Sequence, residues 1–297
     1  VIFQVRGKVP RHSMKAREVR IPAALVDAVV VDAAQRQGYD LVYDAALSGQ
    51  DRRDDPEPPQ PAFSSRLVIA RRAQQELHDN AVINFGFGIP DQIAKLIDRD
   101  GHAERYFQTI EHGTYGGRLM DGDLFGYAMN PSCMIDGPSQ FDFYSGGGLD
   151  IAFLGFGEID AAGNVNVSKL GGNTVGPGGF IDIAQNARKV VFCGTFDTGG
   201  ARLETGDGTL RVTSHGRIPK LVEKVDQITF SGPQASVQGQ HVIYVTERAV
   251  FELREDGVHL VEIAPGIDLQ ADVLERMGFT PRMESPLSEM NSGLFKE

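Results

Sequence analysis

Apolar residues fall along this chain in short, separated runs. Ala81-Val-Ile-Asn-Phe85, Tyr106-Phe-Gln-Thr-Ile110, Leu149-Asp-Ile-Ala-Phe-Leu154 and Val190-Val-Phe192 are bounded by glycine or polar residues and are too short for helices, so each reads as a buried strand. Helical patterns lie between them. Ser64 or Ser65 can cap a helix with the stripe Leu67, Ala70, Ala73/Gln74 and Leu77. A second helix starts at Pro90 and runs through Ile97, with proline in its first turn, where a missing N–H costs nothing. A third begins at Phe180-Ile-Asp-Ile-Ala184, directly after Gly178-Gly179. Alternating strands and helices predict an α/β fold, an open and largely parallel sheet flanked by helices. Sites in such sheets form beyond the carboxyl ends of the strands.

The two ends of the chain read differently. Val1–Val5 and Leu25–Val31 are strand patterns separated by a basic loop, Arg6 to Arg20. Asp51 to Pro61 is charged, proline-rich and without periodicity, which marks a linker. Residues 1–62 are therefore expected to be the end of one domain plus the linker, and 63–297 a second, catalytic domain. A strand at the first residue needs a neighbour for its backbone groups. It suggests that the chain is the later part of a longer polypeptide, packing on a missing N-terminal half of similar fold. Near the other end, Ala249–Leu253 and His259–Ile263 flank Arg254-Glu-Asp-Gly257, a hairpin signal, and Asp268 can cap a last helix, Leu269 to Met277.

Candidate chemistry sits at the strand ends. Glu111 follows the run ending at Ile110 and is followed by Gly113, Gly116 and Gly117. That places one acidic side chain at the tip of a strand, in a glycine turn. Glutamate has an unperturbed pKa of about 4.3, so it is ionised at neutral pH and can attack an activated acyl group without a partner base. Gly86 to Gly88 form a strand-to-helix turn of the kind that offers backbone N–H groups to anions and oxyanions.

Six segments, in one order over roughly residues 1 to 280, resemble the family I coenzyme A transferases, specifically the single-chain acetate/propionate type. They are Asn84-Phe-Gly86-Phe-Gly88-Ile-Pro90, Glu111-His-Gly113, Gly176-Pro-Gly178-Gly179-Phe180, the stretch from Gln185 to Phe196, Tyr244 to Phe251, and Ile263 to Asp268. His112 stands where other members carry Asn, Pro or Ala.

The resemblance implies that Glu111 is the nucleophile. It would transfer CoA from a short-chain acyl-CoA to a free carboxylic acid through an acyl-glutamyl anhydride and a glutamyl-CoA thioester. Gly86, Gly88 and Gly113 are the expected oxyanion and substrate-binding positions. Gly176, Gly178, Gly179, Phe180 and Lys189 are the expected CoA-binding ones, with Lys169 and Arg188 as further candidates for the phosphates. Coenzyme A is then a substrate, no cofactor or metal is needed, and a homo-oligomer is implied. Each step passes through an oxyanion, and a backbone donor aimed at one contributes roughly 2.7–4 kcal/mol in other enzymes. Two other readings remain open: an acyl-CoA hydrolase using the same glutamate, and a non-catalytic acyl-CoA or sugar-phosphate sensor.

Composition narrows the classes. The 297 residues carry a net charge of −11, which argues against nucleic acid, whose phosphates call for clustered Lys and Arg. No run of about 18 apolar residues marks a membrane span. The two cysteines, Cys133 and Cys193, and the seven scattered histidines have no metal-ligand spacing, and a cytoplasmic protein is expected.

Overall fold

The computed structural model describes residues 1–55 and 60–297; residues 56–59, inside the expected linker, lie outside that set. We label the main elements in chain order as β1 (Ile2–Val5), β2 (Ala28–Val31), α1 (Ser65–Gln74), β3 (Val82–Phe85), α2 (Ile89–Arg99), β4 (Phe107–Ile110), β5 (Thr114–Tyr115), β6 (Cys133–Met134), α3 (Gly137–Ser145), β7 (Ile151–Gly155), α4 (Phe180–Asn186), β8 (Lys189–Cys193), α5 (Gly232–Gln238), β9 (His241–Val245), β10 (Ala249–Arg254), β11 (Gly257–Ile263) and β12 (Arg282–Glu289).

Ten strands form one sheet in the order β12-β11-β10-β9-β8-β7-β3-β4-β5-β6. The middle five, β9-β8-β7-β3-β4, are parallel. Antiparallel pairs flank them on both sides, β9 with β10 and β4 with β5, while β12 returns parallel to β11 at the far edge. The α/β expectation is thus met, with the parallel part confined to the centre.

Alternation along the central strands assigns each side chain to one of two cores, because successive residues of a strand face opposite ways. Ile83, Phe85, Ile151, Phe153, Val191, Cys193, Ile243 and Val245 face α1 and α2 and pack with Leu67, Ile69, Ile93 and Ile97. Ala152, Leu154, Val190, Phe192, Val242 and Tyr244 face the other way and pack with Tyr144 of α3, Ile183 and Ala184 of α4 and Ala235 of α5. Both faces are covered, which is why these strands read as unbroken apolar runs. Ser64 caps α1 by accepting the Leu67 N–H, as its position suggests.

The ends depart more from expectation. β1 and β2 pair in parallel as a separate two-stranded ladder, and Val29, Val30 and Val31 are all exposed. Residues further along pack on the later part of the chain: Ala46 and Leu47 meet Met129 in a small third core, and Arg53 hydrogen-bonds Asn130. Asp268 does cap, accepting the Ala271 N–H, but the following turns are irregular. A wide turn, Leu269–Val273, is followed by a tight one, Leu274–Arg276.

An ionic cluster is buried just past the carboxyl end of β9. Arg248 donates to Asp197 Oδ2 at 2.9 Å and to the Asp272 carbonyl at 3.2 Å, lies 3.2 Å from Glu247, and packs over the Phe196 ring. Glu247 in turn accepts the Phe196 N–H at 2.9 Å. Burial pushes the Glu247 carboxyl above its ordinary range, and the Arg248 charge opposes this. Removing one partner of a buried pair leaves an uncompensated charge, at a cost of about 3–5 kcal/mol. Arg248→Ala is therefore expected to lose about that much stability, read as a lower urea midpoint with an unchanged slope.

Candidate active site

Parallel pairing brings five strand ends to one edge of the sheet. Asn84 of β3 is in register with Thr109 of β4, and both belong to the face that meets α3. Glu111 lies two residues beyond Thr109, so it projects from the same face, past the end of the strand. There it opens into a cleft of 430 Å³ whose lining includes Asn84, Gly86, Phe87, Phe125, Leu154, Phe156, Val167, Gly178, Gly179 and Phe180. Glu111 is half-buried. Asn84 Nδ2 donates to its Oε2 at 3.4 Å, and among the described residues no cation pairs with it. The walls are predominantly apolar. Charge that develops at Glu111 during a reaction would meet little screening.

Of the expected site residues, Glu111, Gly86, Gly178, Gly179 and Phe180 meet in this cleft. Gly88, Gly113, Gly176 and Lys189 are not part of its lining. The three glycines expected to supply oxyanion donors have their N–H groups occupied. Gly86 donates to the Phe153 carbonyl at 2.7 Å, Gly113 to the Ile110 carbonyl at 2.9 Å, and Gly88 to the Asp91 carboxylate at 3.1 Å. Gly113 has a different task. Its φ is +108°, and a Cβ there would lie 2.2 Å from the Ile135 carbonyl oxygen, so it lets the turn after Glu111 pack against the chain entering α3.

Donors left free on the cleft wall include the N–H groups of Phe87, Gly178 and Gly179, which have no protein acceptor among the described residues. Lys189 lies away from the cleft. It is the first residue of β8, at the opposite end of the strand from the cleft, and it pairs with Glu76 at 3.1 Å. Lys169 and Arg188 are likewise engaged, with Asp226 and Asp150. His112 is exposed, with its ring beside Gly126.

A second cavity, of 580 Å³, opens beside β4 and includes Asp55, Asp98 and Arg118 in its lining. It holds none of the expected residues, and its Arg118 pairs with Asp55. Among the described residues no group of three or more His, Cys, Asp or Glu side chains is placed to hold a metal ion, and no helix is long and apolar enough to cross a membrane.

No protein-family model matches the chain. The acetate CoA-transferase YdiF of Escherichia coli O157:H7 is 43% identical over 296 residues, covering 99% of this chain and 56% of that protein. The crystal structure of the same acyl-CoA transferase as a thioester complex with CoA superposes with a TM-score of 0.89, at 42% identity over 99% of this chain and 55% of that one. The chain belongs to the family I coenzyme A transferases. The caffeate CoA-transferase of Acetobacterium woodii is also 43% identical, over 305 residues, all of this chain and 58% of that protein. The acetate CoA-transferase subunit beta of Escherichia coli K12 is 26% identical over 218 residues, 70% of this chain and 89% of that subunit. The chain spans about half the length of the first two relatives.

Three features of this chain had no signal strong enough to find them in sequence. Thr109 and Tyr144 lie inside apolar segments, and only the strand register and the packing of α3 join them to Asn84. Phe87 and Phe125 meet edge to face, with centroids 5.2 Å apart, across a long separation in sequence. Lys220 follows an exposed strand, yet its ammonium lies 4.1 Å from the centroid of the Phe156 ring, one wall of the cleft.

Burial pushes Lys220 down to about 8. An unfolded lysine titrates near 10.4. Between these values the unfolded chain holds the extra proton, so stability rises with pH from about 8 to about 10.4; below 8 the penalty is constant. Lys220→Met removes the penalty. It is expected to raise stability at pH 7 by something on the order of 3 kcal/mol and to flatten the rise between pH 8 and 10, measured by urea unfolding at a series of pH values.

Proposed function

We propose that this chain carries the nucleophilic half of a CoA-transferase that moves coenzyme A between a short-chain acyl-CoA and a free carboxylic acid. The observation that carries this reading is one ionisable carboxylate, Glu111, at the end of a central strand, facing an apolar cleft with unspent N–H donors. Family membership supports it.

Glu111 attacks the thioester carbonyl, forming a C–O bond. The C–S bond then breaks, leaving an acyl-glutamyl anhydride and CoA thiolate. The thiolate attacks the glutamyl carbonyl and expels the carboxylate, giving a glutamyl-CoA thioester. A second carboxylate reverses the sequence and leaves as the new acyl-CoA. The tetrahedral oxyanions are assigned to the N–H groups of Phe87, Gly178 and Gly179, in place of Gly86, Gly88 and Gly113. Donors held rigidly in a site that excludes water stabilise such charge without reorganising. Gly176 and Phe180 are kept as positions flanking the coenzyme's path.

The proposed partner is a second transferase half, meeting residues 1 to about 50. A two-stranded ladder with exposed valines is marginal alone. A relative named as a subunit beta shows that a similar region exists as one chain among several. A homo-oligomer of the whole is part of the same proposal.

Glu111→Gln is expected to abolish acyl exchange while leaving CoA binding largely intact. Glu111→Asp should lose activity on the order of 10²-fold, because withdrawing the nucleophile by about 1 Å misplaces it on the scale that costs that much. The measurement is exchange of labelled acetate into acyl-CoA, with mass spectrometry of the borohydride-trapped thioester on Glu111. Near-normal exchange in Glu111→Gln, with no deamidation back to glutamate, would overturn the reading. Release of free acid without exchange would point to the hydrolase.

A further inference from the structure

We propose that Tyr144 is a positioning residue for Glu111, and that it acts by fixing which way round the Asn84 carboxamide sits. The inference rests on the function proposed for Glu111.

The two ends of an asparagine amide have the same shape, so orientation is set by the hydrogen bonds around it. Here those bonds are determined from one end. Thr109 Oγ1 lies 2.8 Å from the Ile83 carbonyl oxygen. A carbonyl only accepts, so the single Thr109 hydroxyl proton goes there. Thr109 Oγ1 also lies 2.7 Å from Tyr144 Oη. With the Thr109 proton committed, Tyr144 must be the donor in that contact. Tyr144 then has no proton left, and its oxygen can only accept from the third group, Asn84, at 3.4 Å.

The end of Asn84 facing Tyr144 is therefore the NH2. That same end faces Glu111 Oε2 at 3.4 Å and the Thr109 carbonyl at 3.5 Å. All three neighbours are acceptors. Turned round, Asn84 Oδ1 would face a carboxylate, a carbonyl and a hydroxyl with nothing to donate.

This order has a cost. Asn84 Oδ1 is buried and has no partner among the described residues. Asn84 is 1% exposed and Tyr144 0%, so water does not relax the arrangement. An unpaired buried acceptor opposes it, which is why the orientation depends on acceptors at the other end. Burial, aided by the nearby Glu111 charge, pushes the Tyr144 hydroxyl up to about 12, so it stays protonated and the chain keeps its direction at neutral pH.

The sign of coupling between two substitutions tests this. Tyr144→Phe removes one acceptor and keeps the ring. It is expected to slow formation of the Glu111–CoA thioester about threefold to tenfold, the scale of one neutral hydrogen bond, with little change in KM. Thr109→Val frees the Tyr144 proton, which then donates to Asn84 Oδ1 and turns the amide away from Glu111. It is expected to slow the step more than Tyr144→Phe does.

Adding Tyr144→Phe to Thr109→Val removes that misdirected donor, so the double variant should recover part of the loss. Single-turnover trapping of the thioester in the purified protein measures all three. A double variant slower than both singles, or two silent singles, would overturn the proposal.

An NMR readout stands apart from activity. In wild-type protein one Asn84 side-chain amide proton should shift on Glu111→Gln and the other on Tyr144→Phe. If wild type forms no thioester but both protons respond, the functional reading fails and the positioning network stands. If neither responds, the network fails whatever the activity.

Discussion

Parallel pairing of five strands is the constraint on which this chain's chemistry depends. Parallel strands end together, so residues far apart in sequence arrive at one edge spaced by a strand width of about 4.8 Å. Glu111, Gly86, Phe156 and Glu247 follow four of these strands, β4, β3, β7 and β9. β3, β7, β8 and β9 are covered on both faces, so the positions of these four are fixed by two cores. The alternation that buries Ile83 and Phe85 beneath α2 turns Asn84 towards α3. The same parity sends Thr109, and then Glu111, to that side.

Much of this was legible in the sequence, and the reason is local. A central strand is a short apolar run with punctuated ends, and α1, α2 and α4 carry their start signals beside them. Glu111 could be picked out because the glycine segments around it resemble one family in order; alone, a carboxylate in a glycine turn reads as readily as a solvated turn residue. Glycines were harder to interpret. A glycine at a strand end signals an unusual backbone or a close approach, and the sequence does not say which. Gly113 proved to permit packing against Ile135, and Gly86 is tied into the sheet through the Phe153 carbonyl. The free donors fell to their neighbours. Lys189 poses a related difficulty: one strand's two ends look alike in sequence, and the pairing alone shows that this lysine begins β8 at the far edge.

Charge near the cleft follows a rule that composition does not convey. The chain is strongly acidic, yet two of its cations at the sheet edge are used internally. Arg248 is consumed by Asp197 and Glu247, and Lys220 is set against an aromatic ring. None of these cations pairs with Glu111. A close cation would make the carboxylate a weaker nucleophile by stabilising its charge in the ground state. An amide donor at 3.4 Å orients it at less cost.

That choice places a heavier demand on geometry than on strength. A neutral carboxamide gives a weak hydrogen bond, and it helps only when the correct end points at Glu111. Electrostatic attraction to an ion pair needs no such discrimination, because a cation has no wrong end. The three side chains behind Glu111 supply it by exhausting their protons in sequence, beginning at the Ile83 carbonyl, which can never donate. The sheet register that brings Asn84 opposite Thr109 is therefore a condition for the chemistry. A one-residue slip between β3 and β4 would turn every side chain of the slipped strand to the other face and leave Glu111 without its donor.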